Sequence, residues 1–109
     1  MPALTRARMD YKTGVPEEMH AEYYSQRASA GLIVTEATYI DIVGHGTVGA
    51  PGMVNKNQVE GWKKVVKAVH DKGGLIFCQL VHCGRVGHPN ISGHPTIAPS
   101  AIKIEDPQL

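Results

Sequence analysis

Twice in this chain a helical stretch stops at glycine and passes at once into an apolar, β-branched run. Gly31 leads into Leu32-Ile33-Val34-Thr35-Glu36-Ala37-Thr38, and Gly73-Gly74 leads into Leu75-Ile76-Phe77-Cys78-Gln79-Leu80-Val81. Glycine suits the left-handed residue that closes a helix, so each hand-off marks a helix end and a strand start. Short junctions before the strands and longer loops after them predict parallel strands joined by right-handed crossovers. With residues 3–5 as a short first strand, the order reads β-α-β-α-β, an α/β architecture. Leu75-Ile76-Phe77 reads as strand buried on both faces, as in a parallel sheet.

The helices carry their own signals. Pro16-Glu17-Glu18 opens the first, with proline in the first turn and carboxylates at the positive end of the dipole. Met19, Tyr23 and Arg27 share one face, with Tyr24 and Ala28 on the adjacent line, which predicts a core-facing stripe. Asn55 caps the second helix, with Gln58 three residues on as a capping box. Val59, Trp62, Val66 and Val69 then form one apolar face, with Trp62 in the core. Lys63, Lys64, Lys67 and Asp71 lie mostly on a solvated face.

If the strands are parallel, their C-terminal ends fall on one rim, where ligands bind in α/β barrels and open α/β sheets. Thr5, Glu36-Ala37-Thr38 and the Gln79 to His82 stretch supply polar groups there. The Gln79 amide offers one acceptor and two donors, matched to a flat heterocycle with mixed edges. Residues 39–54 form a long glycine-rich loop, and such loops in compact domains are usually functional. A net charge of +1 gives no electrostatic footprint for nucleic acid or an anionic membrane. No apolar run approaches the roughly 20 residues of a membrane span, and residues 1–6 carry no signal-peptide core. The two cysteines, Cys78 and Cys83, imply no disulfide framework and fit a reducing cytoplasm.

Three patterns point elsewhere and are set aside. Gly44-His45-Gly46-Thr47-Val48-Gly49 matches G-x-G-x-x-G, but Ala50-Pro51-Gly52 follows where a helix must begin, and no acidic strand end comes about 20 residues later. His82, Cys83, His88 and His94 crowd one segment, yet their spacing fits no standard tetrahedral site, so no metal is expected. Cys83 has no marked third group to orient a histidine as its base.

Leu4-Thr5-Arg6, Glu22-Tyr23-Tyr24 with Gln26-Arg27-Ala28, and Gly31-Leu32-Ile33-Val34-Thr35-Glu36-Ala37-Thr38 resemble strings of the Old Yellow Enzyme family. So do Gly61-Trp62-Lys63, the paired glycines, Gln79-Leu80 with His82, Gly84-Arg85, and Ala98-Pro99-Ser100-Ala101. The resemblance runs along essentially the whole chain, in order. It implies the N-terminal part of an FMN-containing (β/α)8 TIM barrel, about three of eight strands, with residues 1–109 as one partial FMN-binding domain. It implies that NAD(P)H passes hydride to the flavin, which reduces an activated alkene such as an enone.

The resemblance also implies residue roles. Thr5 would hydrogen-bond the flavin carbonyl beside its reactive nitrogen, and Ala3 and Leu4 would add backbone contacts. Ala37 would lie against the ring with its backbone free to bond, and Gln79 would pair with the pyrimidine edge. Thr5, where one branch of the family has cysteine, places the chain in the other branch. Two departures stand out: Val81 replaces a frequent tryptophan and Thr47 a frequent tyrosine, which implies a roomier substrate side. The family's substrate-anchoring histidines, proton-donating tyrosine and phosphate-binding groups lie downstream, so no catalytic residue is assigned. The expectation is an N-terminal fragment, inactive or poorly folded alone. The alternative is a non-catalytic module that binds a partner through its open sheet edge.

Overall fold

The computed structural model describes residues 1–105; the last residues of the polar tail and of the expected domain lie outside the described part. Helix α1 spans Glu18–Ser25, strand β1 Ile33–Tyr39, helix α2 Lys56–His70, strand β2 Ile76–Val81 and a short helix α3 Pro89–Ser92. β1 and β2 pair in parallel with α2 as the crossover between them, as the Gly73-Gly74 hand-off predicts. Gly31 does not close α1, which already ends at Ser25 with Gln26 as its C-cap, and Gly31 is not in the left-handed region.

α2 forms where its caps demand. Asn55 Oδ1 accepts from Gln58 N–H at 3.0 Å, and Gln58 Oε1 accepts from Asn55 N–H at 3.2 Å, which completes the capping box. The buried face of the helix is rotated from the expected one. Gln58, Gly61, Trp62, Val65 and Val69 are buried, whereas Val59 and Val66 are only half-buried. Gln58 joins that face because its amide also donates to Thr13 O and Tyr39 Oη, both at 2.9 Å. A fully bonded amide can be buried at little cost.

α1 packs on α2 through Ala21, Tyr24 and Ala28, which join Ile33, Trp62, Val65 and Val69 in one core. The adjacent line behaves differently: Met19 is exposed, and Arg27 lies over the Tyr23 ring, Cζ 3.9 Å from its centroid.

Two expectations about strands fail. Residues 3–5 form no strand. That segment runs parallel to β1, but side chains and the terminal amine join them in place of a backbone ladder. The Met1 ammonium donates to Leu32 O at 2.8 Å, and Ala37 N–H donates to Thr5 Oγ1 at 3.2 Å. Nor is β2 buried on both faces: Leu75, Phe77 and Leu80 are each at least 60% exposed. Its outer edge pairs with nothing among the described residues, so neither a further strand nor a second helix layer covers it.

Candidate functional site

The register of the two strands builds the site. Ala37 stands opposite Gln79 and Tyr39 opposite Val81, but between Val34 and Ala37 the register slips. Thr35 and Glu36 together face the single residue Cys78, a β-bulge. The Thr35 hydroxyl repairs the ladder at that point: its Oγ1 accepts from Gln79 N–H at 3.0 Å and donates to Glu36 O at 3.0 Å. The bulge thus fixes where Gln79 stands relative to Ala37.

It also takes Glu36 away from the rim. Glu36 is buried, and its Oε2 accepts from the Tyr24 phenol at 2.8 Å, while its own N–H donates to Tyr24 Oη at 3.0 Å. Burial pushes the Tyr24 phenol far above its ordinary range, and the Glu36 carboxylate adds to the rise. Thr38 is also buried, its hydroxyl donating to Glu36 O at 3.0 Å. The expectation that residues 36–38 all line the rim is therefore corrected: Ala37 alone stands beside Thr5 and Gln79.

Thr5, Ala37 and Gln79 do converge. The Thr5 hydroxyl sits on Ala37 N–H, and Ala37 is the cross-strand neighbour of Gln79. The Ala37 N–H is thus engaged rather than free, because segment 3–5 offers a hydroxyl in place of a ladder carbonyl. The Thr5 oxygen accepts, which leaves its proton for another acceptor. Ala3 is half-buried and Leu4 exposed on the same segment. Gln79 Oε1 is buried with no hydrogen-bond partner among the described residues. A buried acceptor without a donor is costly, and in a native fold it calls for one. A hydroxyl proton, an orphan acceptor and an amide donor fit the edge of a planar heterocycle with alternating carbonyl and N–H groups.

The long loop folds over the β2 exit. Its feet are pinched together: Tyr39 N–H donates to Pro51 O at 3.0 Å, and Met53 N–H donates to Tyr39 O at 2.8 Å. The Tyr39 ring stacks on His45 at 4.2 Å between centroids, and burial raises its phenol pKa against the opposing pull of Gln58. The loop glycines lie hard against β2: a Cβ on Gly44 would meet the His82 ring at 2.7 Å, and one on Gly46 would meet Cys83 Sγ at 2.7 Å. Close packing, not phosphate binding, accounts for that glycine pattern. It brings the loop that carries exposed Thr47 against His82 and Cys83, just past half-buried Val81 at the end of β2. His82 and His88 both turn Nδ1 back on backbone N–H groups, of Gly84 at 3.0 Å and Asn90 at 3.1 Å. A cleft of about 460 Å³ opens beyond, lined by His82, Gly84, Arg85, Ile97, Ala98 and Pro99.

Thr35 and Tyr24 were missed from sequence as parts of this geometry. A bulge has no side-chain signature here, and the tyrosine–glutamate pair spans twelve positions.

Known proteins share both sequence and geometry. Residues 1–106 match the family model described as NADH:flavin oxidoreductase / NADH oxidase. Flavin oxidoreductase hxnT of Emericella nidulans is 50% identical over 97 residues, 87% of this chain and 25% of that protein. A probable flavin mononucleotide-dependent alkene reductase of Leishmania infantum is 48% identical over 107 residues, 95% of this chain and 29% of that protein. The solved structure of the old yellow enzyme homologue from Zymomonas mobilis superimposes with a TM-score of 0.90 at 53% identity, covering 94% of this chain and 28% of that one. The chain thus spans between a quarter and a third of the length of these relatives. With the family model matching nearly the whole chain and the superposition this close, the chain belongs to the NADH:flavin oxidoreductase / NADH oxidase family and folds as part of an Old Yellow Enzyme TIM barrel.

Proposed function

We propose that this chain grips the edge of an FMN ring, and that the complete enzyme takes hydride from NAD(P)H and reduces an activated alkene such as an enone. The buried, unpartnered Gln79 Oε1 beside Thr5 and Ala37 carries this reading. Gln79 would accept from the ring N–H between two carbonyls and donate to one of them through its amide nitrogen. Thr5 would spend its free proton on the carbonyl nearest the reactive nitrogen, while Ala37 keeps its oxygen in place. Ala3 and Leu4 would approach with their backbone. Bound FMN supplies a reversible hydride acceptor; these residues hold it and set its electronics. Thr47 and Val81 would border the substrate.

The family description, which names NADH and flavin, supports the cofactors, and the Leishmania relative's description supports alkene reduction. Free Cys78 and Cys83 fit a cytoplasmic protein.

The test is an FMN titration of this protein followed by flavin fluorescence. Saturable binding is expected, weakened about tenfold in Gln79→Leu and in Thr5→Ala, as for a lost hydrogen bond of about 1.4 kcal/mol. Equal affinity in all three proteins, or no saturable binding by the unmodified chain, overturns the reading.

A further inference from the structure

Beside α1, away from the Gln79 amide, lies a second cleft of about 450 Å³. Arg6 and Arg8 line it from the N-terminal segment, Met19, Tyr23 and Arg27 from the helix side, and Glu36 from β1. Three arginines therefore line one cleft with a single carboxylate, and that carboxylate is already committed. Glu36 Oε2 takes the Tyr24 phenol, and Oε1 takes Arg6 N–H at 3.4 Å. Among the described residues, every ion pair belongs to a lysine: Lys63 with Glu60, Lys64 with Glu18 and Lys67 with Asp71. None of the three arginines is within ion-pair reach of an acid among the described residues.

Arg27 is also held in a set pose. Its Nη1 donates to Tyr23 O at 2.8 Å and to Gln26 Oε1 at 3.4 Å, while its Cζ lies 3.9 Å from the Tyr23 ring centroid. The Arg6 Cζ lies 5.6 Å from the same centroid. Two cations gathered on one aromatic ring repel each other, and an anion between them removes that cost. A guanidinium fixed by stacking loses little further freedom when its fork meets a carboxylate.

The apolar part of the cleft separates two sources of anion. Met19 is 55% exposed at its edge, next to the half-buried Tyr23 ring. An inorganic ion leaves that apolar surface wet. An acidic side chain carried on a polypeptide covers it while its carboxylate meets the arginines. Arginine clusters recognise acidic peptide motifs, and methionine adapts to varied apolar side chains. We propose that this cleft is a docking site for an acidic polypeptide segment, with an aspartate or glutamate set against Arg6 and Arg27 and a neighbouring apolar residue on Met19.

Arginine Nε–H resonances of the 109-residue protein read the test directly. The probes are N-acetyl-Leu-Asp-Leu-amide, its asparagine counterpart, and inorganic phosphate. The aspartate peptide should give saturable shifts at Arg6 and Arg27, with the asparagine peptide weaker by about tenfold or more, and added salt should weaken only the former. Arg27→Gln should lose that difference, and Arg27→Lys should recover part of it, because charge returns without the fork. The two-peptide comparison on the unmodified chain stands even where a variant fails to fold. Equal affinity for the two peptides overturns the proposal. So does phosphate displacing the aspartate peptide at or below the peptide's own concentration, since the cleft would then serve a free anion.

Discussion

Replacing Gln79 with leucine separates stability from binding, because the two should move in opposite directions. The buried Oε1 has lost its water and found no donor. A buried polar atom in that state costs about 1–3 kcal/mol. Leucine has similar bulk and no polar atom, so it removes this cost. It disturbs no ladder bond, since the Gln79 backbone N–H still reaches Thr35 Oγ1. The side chain is only half-buried, so the lower end of that range applies, a gain of about 1 kcal/mol. In a domain of this size that raises the melting temperature by about 4–8 °C. Thermal unfolding by circular dichroism, run without and with excess FMN, measures both effects. Without FMN the variant should melt higher; with excess FMN both should gain, the unmodified protein by more, because it binds about tenfold tighter. A variant that melts at the same temperature or lower without FMN refutes the reasoning, because Oε1 would then already have a partner.

Tyr24→Phe strips Glu36 of its phenol donor and leaves the Glu36 N–H unpaired inside the core. It should lower stability by about 3 kcal/mol near neutrality in urea titration, as two buried groups lose partners. The Tyr24 pKa is raised on folding, so its share of stability is complete below the unfolded value near 10 and declines as pH climbs beyond it. The gap between Tyr24→Phe and the unmodified protein should therefore narrow above about pH 10. Gly61→Ala sets two effects against each other: alanine favours a helix interior by about 1 kcal/mol, but its Cβ would meet Pro16 O at 2.5 Å and Pro16 Cδ at 2.9 Å. The backbone carbonyl cannot turn aside, so overpacking of about 1–3 kcal/mol should win and the melting point should fall. Phe77 and Leu80, each at least 60% exposed on the open β2, should drive concentration-dependent association; Phe77→Lys should suppress it in sedimentation velocity. In a complete enzyme, Val81→Trp should narrow the range of enones reduced; unchanged relative rates for small and bulky enones would contradict that expectation.

Local chemistry alone determined much of this protein. Gly73-Gly74 after a helix with Asn55 and Gln58 at its start specifies where α2 begins and ends, because caps and breakers act within a few residues. The parallel pairing follows from the same alternation, and the strings around Thr5, Ala37 and Gln79 identify the family. Tertiary structure decided what depends on groups distant in the chain. The bulge at Thr35 and Glu36 sends the carboxylate to Tyr24 and leaves Ala37 alone on the rim, a choice made by one buried phenol twelve residues away. The same holds for Gln58, which looks like a plain capping residue yet also carries Thr13 and Tyr39. β2 reads as fully buried because its composition assumes neighbours on both faces, and burial is a property of those neighbours rather than of the strand. The missing partner of Gln79 Oε1 is likewise a fact about three-dimensional surroundings, and it is the feature that turns a family string into a physical argument for a ligand.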